Sequence, residues 1–155
     1  MTPPRVLLGE LLVGKKLITQ DQLDIALRDQ KLTREFLGSI LVKRGYVKEE
    51  DLLKALADQF QIPYIRLTEQ YIDWNAAMKF SSNFVTTRKV LPVKEDDKGI
   101  TVAITNPLDA IAVSEAEKEA RGEKVNLILV SSGDMAAALR QYQERVAARI
   151  KKLLE

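Results

Sequence analysis

The sequence contains no cysteine and no histidine. Those two absences remove disulfides, thiolate nucleophiles, thiol or imidazole zinc sites and every mechanism that uses an imidazole as acid or base. The phosphate-loop pattern Gly-x-x-x-x-Gly-Lys-Ser/Thr is missing as well, so no nucleoside triphosphatase centre is expected within the chain. No apolar run approaches the roughly 18 to 20 residues needed to span a bilayer, and residues 1–10 lack the basic-then-apolar pattern of a signal peptide. A cytoplasmic location without direct membrane insertion is therefore expected. Charge of one sign is lacking too: 24 Lys and Arg face 22 Asp and Glu, a formal net charge of +2, and the bases are scattered. Nucleic acid is not expected as a partner, and no metal or cofactor is expected.

What remains is the composition of a folded protein, 46% hydrophobic and 30% charged over 155 residues. That length suits one ordinary domain or two small ones sharing a core. Sliding the sequence against itself shows one offset, 29 residues, the step from Gly9 to Gly38. At that offset Arg5 falls on Arg34, Leu8 on Leu37, Leu12 on Leu41, Val13 on Val42, Leu23 on Leu52, Ala26 on Ala55, Leu27 on Leu56, Asp29 on Asp58 and Gln30 on Gln59. Self-similarity at such a period marks a repeated supersecondary unit.

Each copy reads as two helices. The first is short, from about Val6 to Val13 and from Leu37 to Lys43; the second opens after Leu17-Ile18 or Tyr46-Val47. Thr19 with Gln22 three residues on forms a capping-box pattern. In the second copy Lys48 stands at the cap, and Glu49, Glu50 and Asp51 favour the helix start through its dipole. The spacing of Leu23, Ala26 and Leu27, and of Leu52, Ala55 and Leu56, is helical. Residues 1–61 are thus expected to form a helical tandem-repeat subdomain.

Beyond Gln61 the pattern changes. Ile62-Pro63-Tyr64-Ile65 predicts extended chain, and Asp73 to Phe80 a helix. Val90 to Lys94 and Ile100 to Ile104 predict a hairpin across Glu95-Asp96-Asp97-Lys98-Gly99. Asn106-Pro107 predicts a helix start running to about Ala120 and ended by Gly122. Val125 to Val130 reads as a strand, and Ser131 as the cap of a long last helix with Asp134 in its first turn. Residues 62–142 are expected to form a small α/β sandwich-like subdomain, making the whole chain α+β. Residues 143–155 continue the last helix, either docked on its own sheet or as a linker to a larger protein.

No catalytic constellation stands out. Glu49, Glu50, Asp51, Asp96 and Asp97 lie at a helix start and in a turn, as capping or solvated groups, and Ser131-Ser132-Gly133 reads as either a cap or an anion-binding helix start. Trp74 and the tyrosines read as core or subdomain-interface residues. Gln30 and Gln59 recur at one phase of the apolar stripe; each is either bonded to nearby backbone or held for a ligand. Gly9 and Gly38 lie inside helical patterns, where glycine costs roughly 0.8 to 1 kcal/mol relative to alanine. Close helix packing and close approach of a flat ligand to bare backbone both account for them.

The repeat, Leu-Gly-x-x-Leu-Val followed by Leu/Tyr-Ile/Val and Leu-x-x-x-Leu-x-x-Gln, resembles the MshEN-type N-terminal domain of type II secretion and type IV pilus assembly ATPases (the GspE/PilB type). Leu91-Pro92-Val93, Thr101-Val102-Ala103 and Asn106-Pro107-Leu108-Asp109 resemble that family's α/β portion, so the likeness runs from about Arg5 to Tyr142. The resemblance implies a regulatory, non-enzymatic domain that binds cyclic di-GMP through two half-sites. Carried over by position, these are Leu8, Gly9, Leu12, Val13, Leu17, Ile18, Leu23, Leu27 and Gln30, then Leu37, Gly38, Leu41, Val42, Gly45, Tyr46, Val47, Leu52, Leu56 and Gln59, with Arg5 and Arg34 nearby. Two departures stand out. Leu7 and Phe36 occupy the positions where the family has arginine before Leu-Gly, and Lys16 replaces the later glycine kept as Gly45. The implied partners are cyclic di-GMP, an ATPase core on the same or another chain, and secretion or pilus assembly platform proteins. The alternative is a protein-docking domain of the same fold that recruits such a partner without the nucleotide.

Overall fold

A computed structural model describes residues 7–155. The chain divides into two compact units, Met1–Gln61 and Ile62–Glu155. Among the described residues the first unit holds four helices, α1 (Leu8–Gly14), α2 (Gln20–Thr33), α3 (Leu37–Lys43) and α4 (Glu49–Phe60). The start expected for α1 at Val6 lies outside the described residues.

The 29-residue repeat is a repeat of backbone as well as of sequence. The residues preceding α1 and α3, Leu7 and Phe36, have nearly the same conformation (φ −64°, ψ 142° and φ −62°, ψ 138°). Each short helix closes with matching bonds: Lys16 N–H to Val13 O at 2.9 Å and Leu17 N–H to Leu12 O at 3.0 Å, against Gly45 to Val42 and Tyr46 to Leu41, both at 3.0 Å. The capping box at α2 forms as expected, with Thr19 Oγ1 accepting from Gln22 N–H at 3.1 Å and Gln22 Oε1 from Thr19 N–H at 2.9 Å. Lys48 caps α4 with no side-chain bond, leaving Glu49, Glu50 and Asp51 to favour its N-terminus. Leu12, Leu41 and Leu53 form the driest part of this unit's core.

In the second unit β1 (Leu91–Asp96) and β2 (Gly99–Ile104) form an antiparallel hairpin, and β3 (Val125–Leu129) adds parallel to β2, so the sheet order is β1-β2-β3. The extended chain at Pro63–Ile65 lies along the far side of β3, with Leu129 N–H to Pro63 O at 2.8 Å and Ile65 N–H to Leu129 O at 2.9 Å. Pro92 sits on the edge strand at a register shift, where its missing N–H costs no ladder bond. The hairpin is tighter than expected: β1 runs on to Asp96, and Asp96 Oδ1 accepts from Lys98 N–H at 2.8 Å to fix a two-residue turn.

Two helix expectations need correction. Asp73 to Phe80 is a four-residue helix, α5 (Trp74–Ala77), followed by a separate α6 (Ser82–Arg88). Asp73 caps α5 through Asn75 N–H, and Ser81 Oγ starts α6 through Phe84 N–H, so two competing caps split one apolar pattern. Likewise Asn106 does not start the next helix. Its Oδ1 accepts from Leu108 N–H at 2.9 Å in a turn through Pro107, and Asp109 caps α7 (Ala110–Glu119) by accepting from Ala112 N–H at 3.1 Å. Arg88 binds Glu115 with two bonds, at 3.0 and 3.1 Å, joining α6 to α7.

The last helix, α8 (Ser132–Leu154), is unbroken; Tyr142 is buried, while Ile150, Leu153 and Leu154 are exposed. Ser131 Oγ accepts from Asp134 N–H at 3.0 Å, the capping reading of Ser131-Ser132-Gly133. Asp134 in turn accepts from Arg66 Nε at 3.0 Å and from the buried Leu67 N–H at 2.9 Å. Its carboxyl is held below the usual range, first by the Arg66 hydrogen bond and then by the Leu67 N–H. Because the folded-state value is depressed, the contribution is complete above the unfolded value near ~3.9 and is lost as pH falls through the folded value. Asp134→Ala, which leaves Leu67 N–H buried without an acceptor, is expected to cost about 1 to 3 kcal/mol at pH 7. Denaturation curves should show the gap to wild type closing below about pH 4.

Candidate functional site

The candidate site is the tandem helical unit. Its two Leu-Gly starts lie beside one another: a Cβ built on Gly38 would stand 3.7 Å from Leu8 Cδ2. The same Cβ would meet Leu52 Cδ2 at 2.9 Å, and one on Gly9 would meet Leu23 Cδ1 at 2.5 Å. Within each copy, therefore, the glycine of the short helix receives the first leucine of the Leu-x-x-x-Leu-x-x-Gln helix. Of the two explanations for glycine here, the structure displays close packing.

Burial divides the expected site residues into two sets. Gly9, Leu12, Leu23, Gly38, Leu41, Leu52 and Leu56 are buried, as are Ile18 and Val47. Leu8, Val13, Gln30, Leu37, Val42 and Gln59 are half-buried, with Leu17 and Tyr46, and Leu27, Arg34 and Gly45 are exposed. Arg5 lies outside the described residues. The buried set shapes the surface, and the second set reaches it. Gln30 Nε2 donates to Glu35 O at 3.1 Å, which ties the end of α2 to the chain entering α3 and is the local-backbone reading of that amide.

Leu7 and Phe36 are 71% and 45% exposed, so the two positions where the resembling family carries arginine present apolar side chains to solvent. Lys16 and Gly45 both adopt left-handed backbone, φ 61° and 74°. The later glycine is thus a conformational requirement of the turn after each short helix, and the first copy meets it with a lysine. A non-glycine residue there costs roughly 1 to 2 kcal/mol, partly offset by glycine's greater freedom in the unfolded chain. Lys16→Gly is expected to stabilise the protein by about 0.5 to 1 kcal/mol, read as a rise in Tm of about 2 to 4 °C.

Electrostatics ties the copies together. Arg44, after α3, is hydrogen-bonded to Asp29 of α2; Lys15, after α1, pairs with Asp58 of α4 at 3.2 Å. Lys15 and Arg44 are 29 residues apart, and so are Asp29 and Asp58. Each copy therefore lends its base to the other copy's acid, the reciprocity of a two-fold arrangement. The hydrogen bond to Arg44 holds the Asp29 carboxyl below its ordinary range, and the same bond raises Arg44, followed by a bond to Tyr46. The aspartates repeat as an identical pair in the sequence, whereas the bases differ, lysine in one copy and arginine in the other, so identity at the offset does not reveal them. Among the described residues, no group of three or more ligating side chains is placed to hold a metal.

With this geometry in hand, the comparisons are decisive on family. The MshEN domain model matches residues 60–149, more than half of the chain. The chain belongs to the MshEN domain family. The matched stretch holds the α+β unit, whereas the tandem motif lies almost wholly before it. A structure of MshE with cdg (cyclic di-GMP) superposes with a TM-score of 0.81 at 25% identity, covering 89% of this chain and 99% of that one, the tandem unit included. Type IV pilus assembly ATPase PilB of Myxococcus xanthus (strain DK1622) is 27% identical over 135 residues, 87% of this chain and 24% of PilB. Bacteriophage adsorption protein B of Escherichia coli (strain K12) is 25% identical over 138 residues, 89% of this chain and 18% of that protein. The chain thus spans about a fifth to a quarter of the length of these relatives. Among the described residues no helix is long and apolar enough to cross a membrane.

Proposed function

We propose that this MshEN domain is a regulatory module that binds cyclic di-GMP across its two tandem motifs. On this reading it relays occupancy to the ATPase core of a type II secretion or type IV pilus machine, in the same or another chain, in the cytoplasm. The observation that carries the proposal is the match to MshE with cdg, which extends over nearly the whole of both chains. A dinucleotide with two guanines and two phosphates in near two-fold arrangement suits two half-sites that themselves exchange ion pairs reciprocally. Leu8, Leu27 and Leu37 would offer apolar contact, Gln30 and Gln59 amides for the purine edges, and the buried leucines would set the spacing of the two surfaces. Titration calorimetry tests it: saturable heat is expected, and none at ligand concentrations near about 100 µM would sink the reading.

A second reading rests on Leu7 and Phe36. Exposed apolar residues at the two helix starts favour a protein surface over a phosphate at those positions. In that case the domain docks an assembly-platform protein. A pull-down that retains such a partner when Gln30 and Gln59 are both replaced by alanine, together with silent calorimetry, would separate this reading from the first.

A further inference from the structure

The last helix changes character along its length. Its first half buries Met135, Ala138, Leu139 and Tyr142. Arg145 closes that half, lying over the Trp74 ring at 4.3 Å and donating to Glu69 at 3.3 Å. The apolar stripe then runs on into solvent. Gln143, Val146, Ile150 and Leu153 recur at spacings of three, four and three, the seam of a helix that packs on another helix. Beside this seam lies a groove of about 390 Å³ between α6 and α8, with Ser82, Asn83 and Thr86 on one wall and Val146, Ala147 and Ile150 on the other. No charged residue lines the groove, although 30% of the chain is charged. Ser82 and Ala147 keep its walls low, so a ridge of aliphatic side chains can enter. Glu144 and Lys151 stand two turns apart on one side of the seam, and neither is ion-paired among the described residues.

We propose that the occupant of this groove is α8 of a second copy of the chain, laid antiparallel. With Val146 and Ile150 exchanging places about a two-fold axis, Leu153 of each copy comes opposite Gln143 of the other, and Leu154 opposite Tyr142. The same register brings Glu144 of each copy within one turn of Lys151 of the other. A parallel pair would instead set lysine against lysine and glutamate against glutamate, so the charges choose the direction. Such a contact is isologous, and each ridge and groove is used twice. It is small beside the roughly 20 to 30 residues a side of a standard interface. The dimer is therefore weak, with a Kd on the order of 100 µM. It engages α6 and α8 and no residue of the tandem motif, so it forms whether or not the dinucleotide binds.

Sedimentation equilibrium of the full 155-residue chain, from about 10 µM to about 2 mM, tests the pairing. A rise in mass from monomer towards dimer is expected over that range. Ile150→Glu, at an exposed position, is expected to keep the melting curve of the wild type and to remain monomeric throughout. Glu144→Lys and Lys151→Glu are each expected to weaken the dimer about tenfold, since each turns two attractive contacts into repulsive ones. Combined in one chain they exchange the charges without changing the pattern, and the Kd is expected to return to within about threefold of wild type. A chain that stays monomeric to about 2 mM overturns the proposal and leaves the groove to a different macromolecule. A dimer indifferent to Ile150→Glu places the contact elsewhere and overturns it too, as does a double charge variant no tighter than the two single ones.

Discussion

Gly99→Ala is expected to destabilise the α+β unit by about 3 to 5 kcal/mol, more than any other single added methyl group in this chain. Gly99 opens β2 with φ +123°, a conformation that L side chains rarely adopt, worth roughly 1 to 3 kcal/mol of strain. The added Cβ would lie 2.2 Å from the backbone oxygen of Lys124 and 3.0 Å from its carbonyl carbon. A flexible side chain would swing away from such a contact, but this neighbour is backbone and it is fixed. Ile100 N–H donates to Lys124 O at 2.8 Å, and the parallel register of β2 with β3 begins at the next step, Ile100 opposite Val125. Relieving the clash therefore means prying β3 from β2 where their ladder starts, and overpacking of this kind costs roughly a further 1 to 3 kcal/mol. Chemical denaturation provides the measurement. Gly133→Ala is the matched control: it lies in the first turn of α8 with open space around the new methyl, and is expected to be neutral or slightly stabilising. A loss below about 1 kcal/mol for Gly99→Ala would mean that the hairpin gives way more easily than its bonds imply.

The contrast between what was legible in the sequence and what was not has one physical root: local signals read well where only one interpretation of a residue competes. Thr19 with Gln22 is a capping pattern with no rival reading, and it forms; Ser131, which also suited an anion-binding helix start, caps α8 through Asp134 N–H. Asn106 and Asp109 are both good caps three residues apart, and Pro107 suits either a helix start or a turn. Tertiary context gave the turn to Asn106 and the helix to Asp109. The 29-residue repeat gave away the helical unit because duplication repeats the apolar pattern residue by residue. It also carried the clue to the ion pairs, but that required reading basic residues as interchangeable across the offset. Function was legible only as a resemblance. Glycine and leucine at these positions serve packing, as the contacts of Gly9 with Leu23 and Gly38 with Leu52 show. A packing motif and a ligand motif made of the same residues look identical in one sequence.

That ambiguity is open to direct attack through Leu7 and Phe36, the two positions where the resembling family carries arginine. Leu7→Arg with Phe36→Arg is expected to raise affinity for cyclic di-GMP by about tenfold per site, and by about a hundredfold together if the sites add. Both positions precede a short helix with almost the same backbone conformation, both are exposed, and neither makes a side-chain cap bond. A guanidinium placed there has room to swing and no intramolecular partner to abandon among these contacts. Planar, bidentate pairing with phosphate is what arginine adds over any other side chain. The gain belongs at the lower end of the range for charge-assisted bonds, because solvent reaches both positions. For the same reason it should shrink as salt is raised from 0.05 to about 0.5 M. Stability should move by no more than about 0.5 kcal/mol at Leu7, which is 71% exposed, and by more at Phe36, which is 45% exposed and loses the packing of the covered part of its ring. Calorimetry on the wild type, each single variant and the double variant reads the result, with Gln30→Ala in the double background as the check that binding uses the motif. If the wild type is silent and the double variant binds, the two half-sites are intact and only their anion grip has been lost. No gain in a folded double variant would remove the dinucleotide from this surface and leave Leu7 and Phe36 as contacts for a protein.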